Sequence, residues 1–181
     1  MRKIILYIFI TVCNFTYSQN HFADTYYMDA GVGISDQKSF EPSIGIGYNI
    51  SDRLSVNGRY DYKMTSDNDR YRFFEHSLDI FAKYAVWQKN YFSLNLMGGF
   101  SQSINSYSEI RRPSFTPKVY NLGYNAGAEF EYFINNNMAL FSSVNNRGYF
   151  LDQTHIELTY SLGIRFDFSL FTKQLYHPTI Q

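Results

Sequence analysis

The sequence predicts an all-β protein, a single eight-stranded antiparallel up-and-down transmembrane β-barrel. Three observations predict it: apolar residues recur at every second position, charged residues are confined to the opposite face, and the connections alternate between short and long. The composition agrees, because the chain has 17 Tyr and 17 Phe among its 181 residues. Aromatic residues favour strands and collect in girdles at the two borders of membrane barrels.

The clearest strand lies near the end of the chain, at residues 154–168. Mostly apolar side chains alternate there with polar ones over fifteen residues, which is long for a strand of an ordinary globular protein. A tilted strand needs roughly 9–11 residues to cross a bilayer, so this segment is predicted to close the barrel. Its apolar face contains Tyr160, Leu162, Ile164, Phe166 and Phe168.

Seven earlier segments alternate in the same way, at residues 25–35, 43–50, 54–64, 74–86, 91–101, 119–132 and 138–147. The short connections are residues 51–53, 87–90 and 134–137, and the long ones are residues 36–42, 65–73, 102–118 and 146–153. Outer-membrane barrels have short periplasmic turns and long external loops. The barrel is therefore expected to start on the periplasmic side. In the seventh segment, MALFSSVNN fits either orientation of its two faces.

The charged face is predicted to line the lumen. Lys or Arg facing lipid at the middle of the bilayer costs roughly 2–4 kcal/mol, and the apolar face has no Asp, Glu, Lys or Arg. In a narrow lumen an unpaired charge is also costly, so these residues are expected to pair into a network that plugs it. The predicted network consists of fourteen residues, namely Asp29, Arg59, Asp61, Lys63, Glu75, Asp79, Lys83, Glu129, Glu131, Arg147, His155, Glu157, Arg165 and Asp167.

Glycine placement separates a membrane barrel from a secreted soluble barrel, which would alternate in the same way with its apolar face inward. Glycine weakens a strand and needs a reason such as close packing. The lumen of an eight-stranded barrel is barely wide enough for side chains, so glycines are expected to face it. Only Gly58 and Gly98 lie on the apolar face, whereas the charged face has Gly31, Gly33, Gly45, Gly47, Gly99, Gly123, Gly127 and Gly163.

The first residues have the pattern of a secretory signal. Arg2 and Lys3 precede an apolar stretch at residues 4–13, and small Ser18 precedes the expected cleavage site. The predicted division is a signal peptide at residues 1–18, a barrel at 19–168 and a tail at 169–181. The protein is thus expected to be exported and located in the outer membrane of a Gram-negative bacterium. A lipoprotein modified at Cys13 is disfavoured, because bulky Val12 precedes that cysteine.

The sequence predicts no catalytic, cofactor-binding or metal site, and therefore no enzyme. The four histidines have no ligand spacing, and the adjacent His76 and Ser77 should point to opposite faces of one strand. Without Arg2 and Lys3, the 16 basic residues become 14 against 16 acidic ones. No basic excess then indicates nucleic acid. The expected partners are outer-membrane lipids, lipopolysaccharide and a protein bound at the external loops.

The longest predicted loop, residues 102–118, is the expected recognition surface. Function concentrates in loops on a rigid scaffold, and a loop this long exceeds a simple connection. Pro113 and Pro117 restrict its backbone. Its candidate recognition residues are of the aromatic, aliphatic and arginine types suited to binding surfaces, namely Tyr107, Ile110, Arg111, Arg112 and Phe115.

The chain resembles the small outer-membrane β-barrel proteins, and its second half resembles the TraO family of conjugal transfer proteins. The segments that carry the resemblance are KNYFSLNLMGGF at residues 89–100, the stretch at 121–150 and YSLGIRFDF at 160–168. The resemblance implies a structural or interaction protein that acts through its external loops in a conjugation apparatus, with no catalytic residues. The alternative is a narrow porin-like channel for small solutes.

Overall fold

The computed structural model describes residues 23–36, 39–67, 71–109, 119–150 and 156–168. These residues form eight strands in one closed antiparallel barrel, in the order of the chain. The predicted fold class is therefore confirmed. The strands are β1 (Thr25–Ser35), β2 (Phe40–Asn49), β3 (Leu54–Asp67), β4 (Tyr71–Lys89), β5 (Phe92–Glu109), β6 (Val119–Asn135), β7 (Met138–Tyr149) and β8 (Ile156–Asp167).

The two ends of the barrel differ, and we call them the turn end and the loop end. At the turn end, short turns join β2 to β3, β4 to β5 and β6 to β7. In the β4–β5 turn Asn90 has a φ of 53°, a left-handed conformation that Asn tolerates better than most residues. In the β6–β7 turn the backbone N–H of Asn137 donates to Oδ1 of Asn135 over 2.9 Å. The loop end has the other four connections.

The register fixes the stagger of the barrel. Pairs followed from Ala30 on β1 through β2 to β5 arrive at Leu122 on β6, whereas pairs followed the other way through β8 and β7 arrive at Tyr132. Those two residues are ten positions apart. In eight strands this stagger corresponds to a tilt of about 40° and a lumen just wide enough for side chains. Among the residues described, none belongs to a helix that could cross a membrane.

Apolar side chains cover the outer wall. Aliphatic residues such as Ile44, Ile80 and Leu162 are about half exposed there, and aromatic residues lie on either side of them. The aromatic residues toward the turn end include Tyr26, Tyr48, Tyr84, Trp87, Phe92, Phe130 and Phe166, and those toward the loop end include Phe40, Tyr60, Phe100, Tyr124 and Tyr160. An apolar band between two aromatic girdles is the outer surface of a membrane barrel.

Several predicted boundaries were wrong. Residues 102–109 belong to β5 and not to the long loop, because they pair with β4 as far as Tyr71 and Glu109. Their side chains are mostly polar, so the apolar alternation that predicts a strand is absent. β2 begins at Phe40, although residues 36–42 were predicted to be a connection. Pro42 lacks an N–H donor, and the ladder between β2 and β3 has no pair at Glu41 or Pro42.

The structure also defines the end of the closing strand and decides which face of β7 lines the lumen. β8 ends at Asp167, so Phe168 lies just beyond it, although its amide still donates to the Tyr26 carbonyl over 2.8 Å. On β7, Leu140 and Val144 face outward and Phe141 is buried inside. The predicted signal peptide and tail lie outside the described residues.

Candidate functional site: the lumen network and the loop end

The lumen holds the predicted charged residues. Thirteen of the fourteen residues proposed for the network have described side chains, and each is at most 6% exposed. The fourteenth, His155, lies outside the described residues. Because water is excluded from these side chains, their pairing decides the cost of burying them.

Asp79 on β4 collects donors from four other strands. Its carboxylate accepts hydrogen bonds from Arg59 on β3 at 3.2 Å, Ser101 on β5 at 2.6 Å, Asn125 on β6 at 2.7 Å and Arg147 on β7 at 2.9 Å. Asp79 has no exposed surface. A single carboxylate thus connects five consecutive strands across the lumen.

Arg147 extends this cluster toward β2. Its guanidinium pairs with Asp61 and, over 3.3 Å, with Glu41. Glu41 is absent from the predicted network because residues 36–42 were expected to form a long connection. The signal was nevertheless present, since Glu41 continues the alternation of the small or polar residues of β2 that also face the lumen.

Above this cluster, toward the loop end, Lys63 and two carboxylates close the lumen. Lys63 pairs with Glu157 and lies 3.9 Å from the Glu75 carboxylate. The Tyr149 hydroxyl donates to Glu75 over 2.7 Å, and the Ser77 hydroxyl donates to it over 3.2 Å. We call the clusters around Asp79 and Lys63 together the upper tier.

A second cluster, which we call the lower tier, lies toward the turn end. Arg165 pairs with Glu131, with Glu129 at 2.9 Å and with Asp29 at 3.5 Å. Lys83 contacts Glu129 at 2.8 Å from the opposite wall. Asp167, at the end of β8, is also buried here. The lower tier therefore links β1, β4, β6 and β8.

Aromatic rings separate the two tiers. The Phe81 ring lies 5.2 Å from the Arg59 guanidinium of the upper tier and 5.5 Å from the Lys83 ammonium of the lower tier. The Tyr27 ring lies 4.6 Å from the Arg165 guanidinium. Cations over ring faces are attracted by the ring electrons. The rings of Tyr27 and Phe81 thus help to hold the charged groups and lie between the two tiers.

The rings fit because glycines lie opposite them. Tyr27 is paired with Gly47, Phe81 with Gly99, and Phe141 with Gly163. A Cβ atom at any of these three glycines would overlap the opposite residue. Gly58 and Gly98 on the outer wall have nothing within 4 Å of such an atom. Gly148 also faces the outer wall, contrary to the expectation, and a Cβ there would meet the Tyr124 ring. The eight glycines of the charged face therefore reflect close packing inside the lumen, whereas Gly148 reflects packing against Tyr124.

Acidic residues outnumber basic ones inside the lumen. Nine carboxylates and five basic groups are buried among the described strands. Neutral donors compensate part of the difference: Asn57 donates to Asp29 over 2.9 Å, and Thr159 donates to Glu41 over 3.3 Å. Among the residues described, no group of three or more His, Cys, Asp or Glu is placed to hold a metal ion.

The loop end is uneven, because β3 to β6 extend farther than the other strands. The pair Tyr71 and Glu109 marks the top of β4 and β5. By strand rise and tilt, it lies roughly 15 Å farther along the barrel axis than the ends of β1 and β2. Of the predicted recognition residues, Tyr107 belongs to β5. Ile110, Arg111, Arg112 and Phe115 lie outside the described residues.

The structure brings together no Ser-His-acid set among its described side chains. His76 is exposed on the outer wall and Ser77 is buried in the lumen. Every Asp or Glu within a strand whose side chain is described is also buried inside. His76 instead has Nδ1 2.6 Å from the Tyr60 hydroxyl.

Solved structures share this fold at low sequence identity. The N-terminal β-barrel domain of OprF from Pseudomonas aeruginosa matches with a TM-score of 0.65 at 16% identity, covering 82% of this chain and 100% of that domain. Neisserial surface protein A matches with a TM-score of 0.60 at 19% identity, covering 78% and 95%. The outer-membrane enzyme PagL matches with a TM-score of 0.51 at 14% identity, covering 77% and 98%.

No family model and no curated protein matches the chain. Identities this low establish the fold and leave the activity open, since the fold occurs in a surface protein and in an enzyme. The closed eight-stranded topology, the apolar outer wall and these likenesses agree. The chain has the fold of the Gram-negative outer-membrane β-barrels.

Proposed function

We propose that this protein is an outer-membrane barrel with a sealed lumen, which acts as a structural or interaction protein through its loop end. The observation that carries the proposal is the network around Asp79 and Arg147. It connects the walls of the barrel through its interior, so that ion pairs cross the lumen where the solutes of a channel would have to pass.

The energetics of the network support a sealed lumen. Breaking a buried ion pair costs about 3–5 kcal/mol when one partner is left uncompensated. A passage would have to separate Arg147 from Asp79 and Lys63 from Glu157 in the upper tier, and Arg165 from Glu129 in the lower tier. A solute would have to pass both tiers, one after the other. The narrow porin-like channel is the alternative function, and the ion pairs across the described lumen argue against it.

With a sealed lumen and a lipid-covered wall, the two ends of the barrel are left for a partner, and the loop end has the longer connections. The paired strands β3 to β6 extend there, and residues 110–118 connect β5 to β6. We expect recognition in this connection, with Ile110, Arg111, Arg112 and Phe115 as contact residues. The TraO-like second half suggests conjugal transfer as the setting.

Replacement of residues 110–118 by a short Gly-Ser turn tests the proposal. The shortened protein should still assemble, because the β4–β5 and β5–β6 ladders remain, and its folded form should still migrate faster on a gel than the boiled chain. The phenotype of a deletion strain, in adhesion or in mating assays, should not be restored. A matched control replaces residues 51–53 at the turn end, which should restore it. Full restoration by the loop-shortened protein would reject the recognition role.

A further inference from the structure

His76 occupies an unusual position for a polar residue, on the outer wall of β4. It faces outward next to apolar Leu78 and Ile80 of the same strand. The Tyr60 hydroxyl lies 2.6 Å from its Nδ1, and the Tyr62 ring lies 5.1 Å from its ring. Tyr60 holds the ring in either tautomer of the imidazole. In the tautomer in which the Tyr60 hydroxyl donates to Nδ1, the proton is at Nε2 and presents an N–H donor to an outside ligand.

Two further polar side chains surround His76 on the same wall. His76 is paired with Ile104 of β5, and the outward residues on either side of Ile104 are Gln102 and Ser106. Diagonal neighbours in a sheet are about 7–8 Å apart between Cα atoms. A group with several acceptor oxygens can bridge such a distance with hydrogen bonds of about 2.8 Å. The amide of Gln102 and the hydroxyl of Ser106 are both donors.

Among the described side chains, no carboxylate competes with this set. The described Asp and Glu side chains of the strands all point into the lumen, so an anion approaching His76 from outside meets described donors and aromatic rings. This charge distribution suits an anionic group with multiple oxygens, whereas no described side chain there offers a cation a charged ligand.

The height of His76 suits a lipid headgroup. His76 lies eight residues along β4 from Tyr84 of the turn-end girdle. At a strand tilt of about 40° this is roughly 20 Å along the barrel axis. The outward apolar band of such barrels is about 25 Å tall. His76 is therefore near the opposite border of the hydrocarbon, where the headgroups of the outer leaflet begin.

We propose that His76, Gln102 and Ser106 form a site on the outer wall for a phosphate monoester of an outer-leaflet lipid, which offers these donors one more unesterified oxygen than the phosphodiester of phosphatidylcholine. The proposal rests on the membrane placement in the proposed function and adds a ligand to it. The donors are Nε2–H of His76, the side-chain amide of Gln102 and the hydroxyl of Ser106. Tyr60 is a positioning residue, because it holds the imidazole and does not itself contact the phosphate.

The test uses the full barrel in nanodiscs of phosphatidylcholine, with and without a minor fraction of phosphatidic acid as the probe. Nitrogen NMR of the histidine rings follows Nε2 of His76, whose signal is assigned by its loss in His76→Asn. We expect that signal to shift with phosphatidic acid in a saturable manner. Gln102→Leu should weaken the apparent affinity about tenfold, the effect of one lost hydrogen bond to a charged group. Ile104→Leu, between the two polar positions, should leave it unchanged.

Three results would overturn the proposal. The first is an Nε2 signal that does not respond to phosphatidic acid. The second is a Gln102→Leu protein that responds as Ile104→Leu does. The third is an equal shift with inorganic phosphate in phosphatidylcholine alone, which would mean a site for free anions. A protein that does not enter nanodiscs at all would instead contradict the membrane placement itself, so the two failures are distinguishable.

Discussion

Asp79 on β4 accepts a hydrogen bond from Arg147 on β7 over 2.9 Å, although 68 positions separate the two residues in the chain. The bond can form only after the strands between them have closed part of the barrel. Because Asp79 also holds Arg59, Ser101 and Asn125, the interior network should form together with the closed barrel and stabilise it.

Substitution of Asp79 by Asn should lower the free energy of unfolding by about 3 kcal/mol, because two buried guanidinium groups lose a shared carboxylate. Urea titration of the barrel in lipid vesicles measures this difference. Asp52→Asn, at an exposed turn, is the matched control and should change it by less than about 0.5 kcal/mol. Equal unfolding midpoints for the two variants would show that Asp79 does not anchor the network.

The neighbouring residues Gly98 and Gly99 provide a second test. A Cβ at Gly99 would overlap the backbone of Ile80 and Phe81, whereas a Cβ at Gly98 meets nothing within 4 Å. Gly99→Ala should therefore destabilise the barrel by about 1–3 kcal/mol through overpacking. Gly98→Ala should be neutral or stabilise by up to about 1 kcal/mol, because it restricts the unfolded chain. The same vesicle titration compares the free energies of unfolding of the two variants. A larger loss for Gly98→Ala than for Gly99→Ala would mean that the face assigned to the lumen is the outer one.

Much of this arrangement could be predicted from sequence, because a barrel wall imposes a period of two. The faces of β1, β3 and β4 followed directly from residues such as Met28, Arg59 and Asp79. Prediction failed where both faces had similar polarity. The extension of β5 has Ser103 and Asn105 inside and Gln102 outside, so no apolar alternation marks it as a strand. Its pairing with β4 supplies the stabilisation that the local sequence does not.

The contacts inside the lumen could not be predicted from the sequence either. Alternation indicates that Asp79 and Arg147 face inward, but their meeting depends on the stagger of the barrel, which is a property of all eight strands. Glu41 illustrates the other failure. It lies in the predicted connection at residues 36–42, and only the register with β1 shows that the strand includes Glu41 and Pro42.

Trp87 tests the depth of the barrel in the bilayer, because it is the only tryptophan in the chain. It is exposed on the outer wall in the turn-end girdle. Its fluorescence should be quenched more strongly by lipids brominated near the headgroup than by lipids brominated near the chain end, as expected for an interfacial aromatic residue. A Trp87→Phe protein supplies the background. Quenching by neither lipid would contradict a lipid-facing wall.

The sealed lumen is the central claim, and the conductance of the purified wild-type protein in planar lipid bilayers tests it most directly. Folded protein, verified by its heat-dependent mobility on a gel, should give no steady current above the lipid background, since the ion pairs of the upper and lower tiers cross the described lumen. Reproducible channels of one defined conductance would contradict the account and favour the narrow pore.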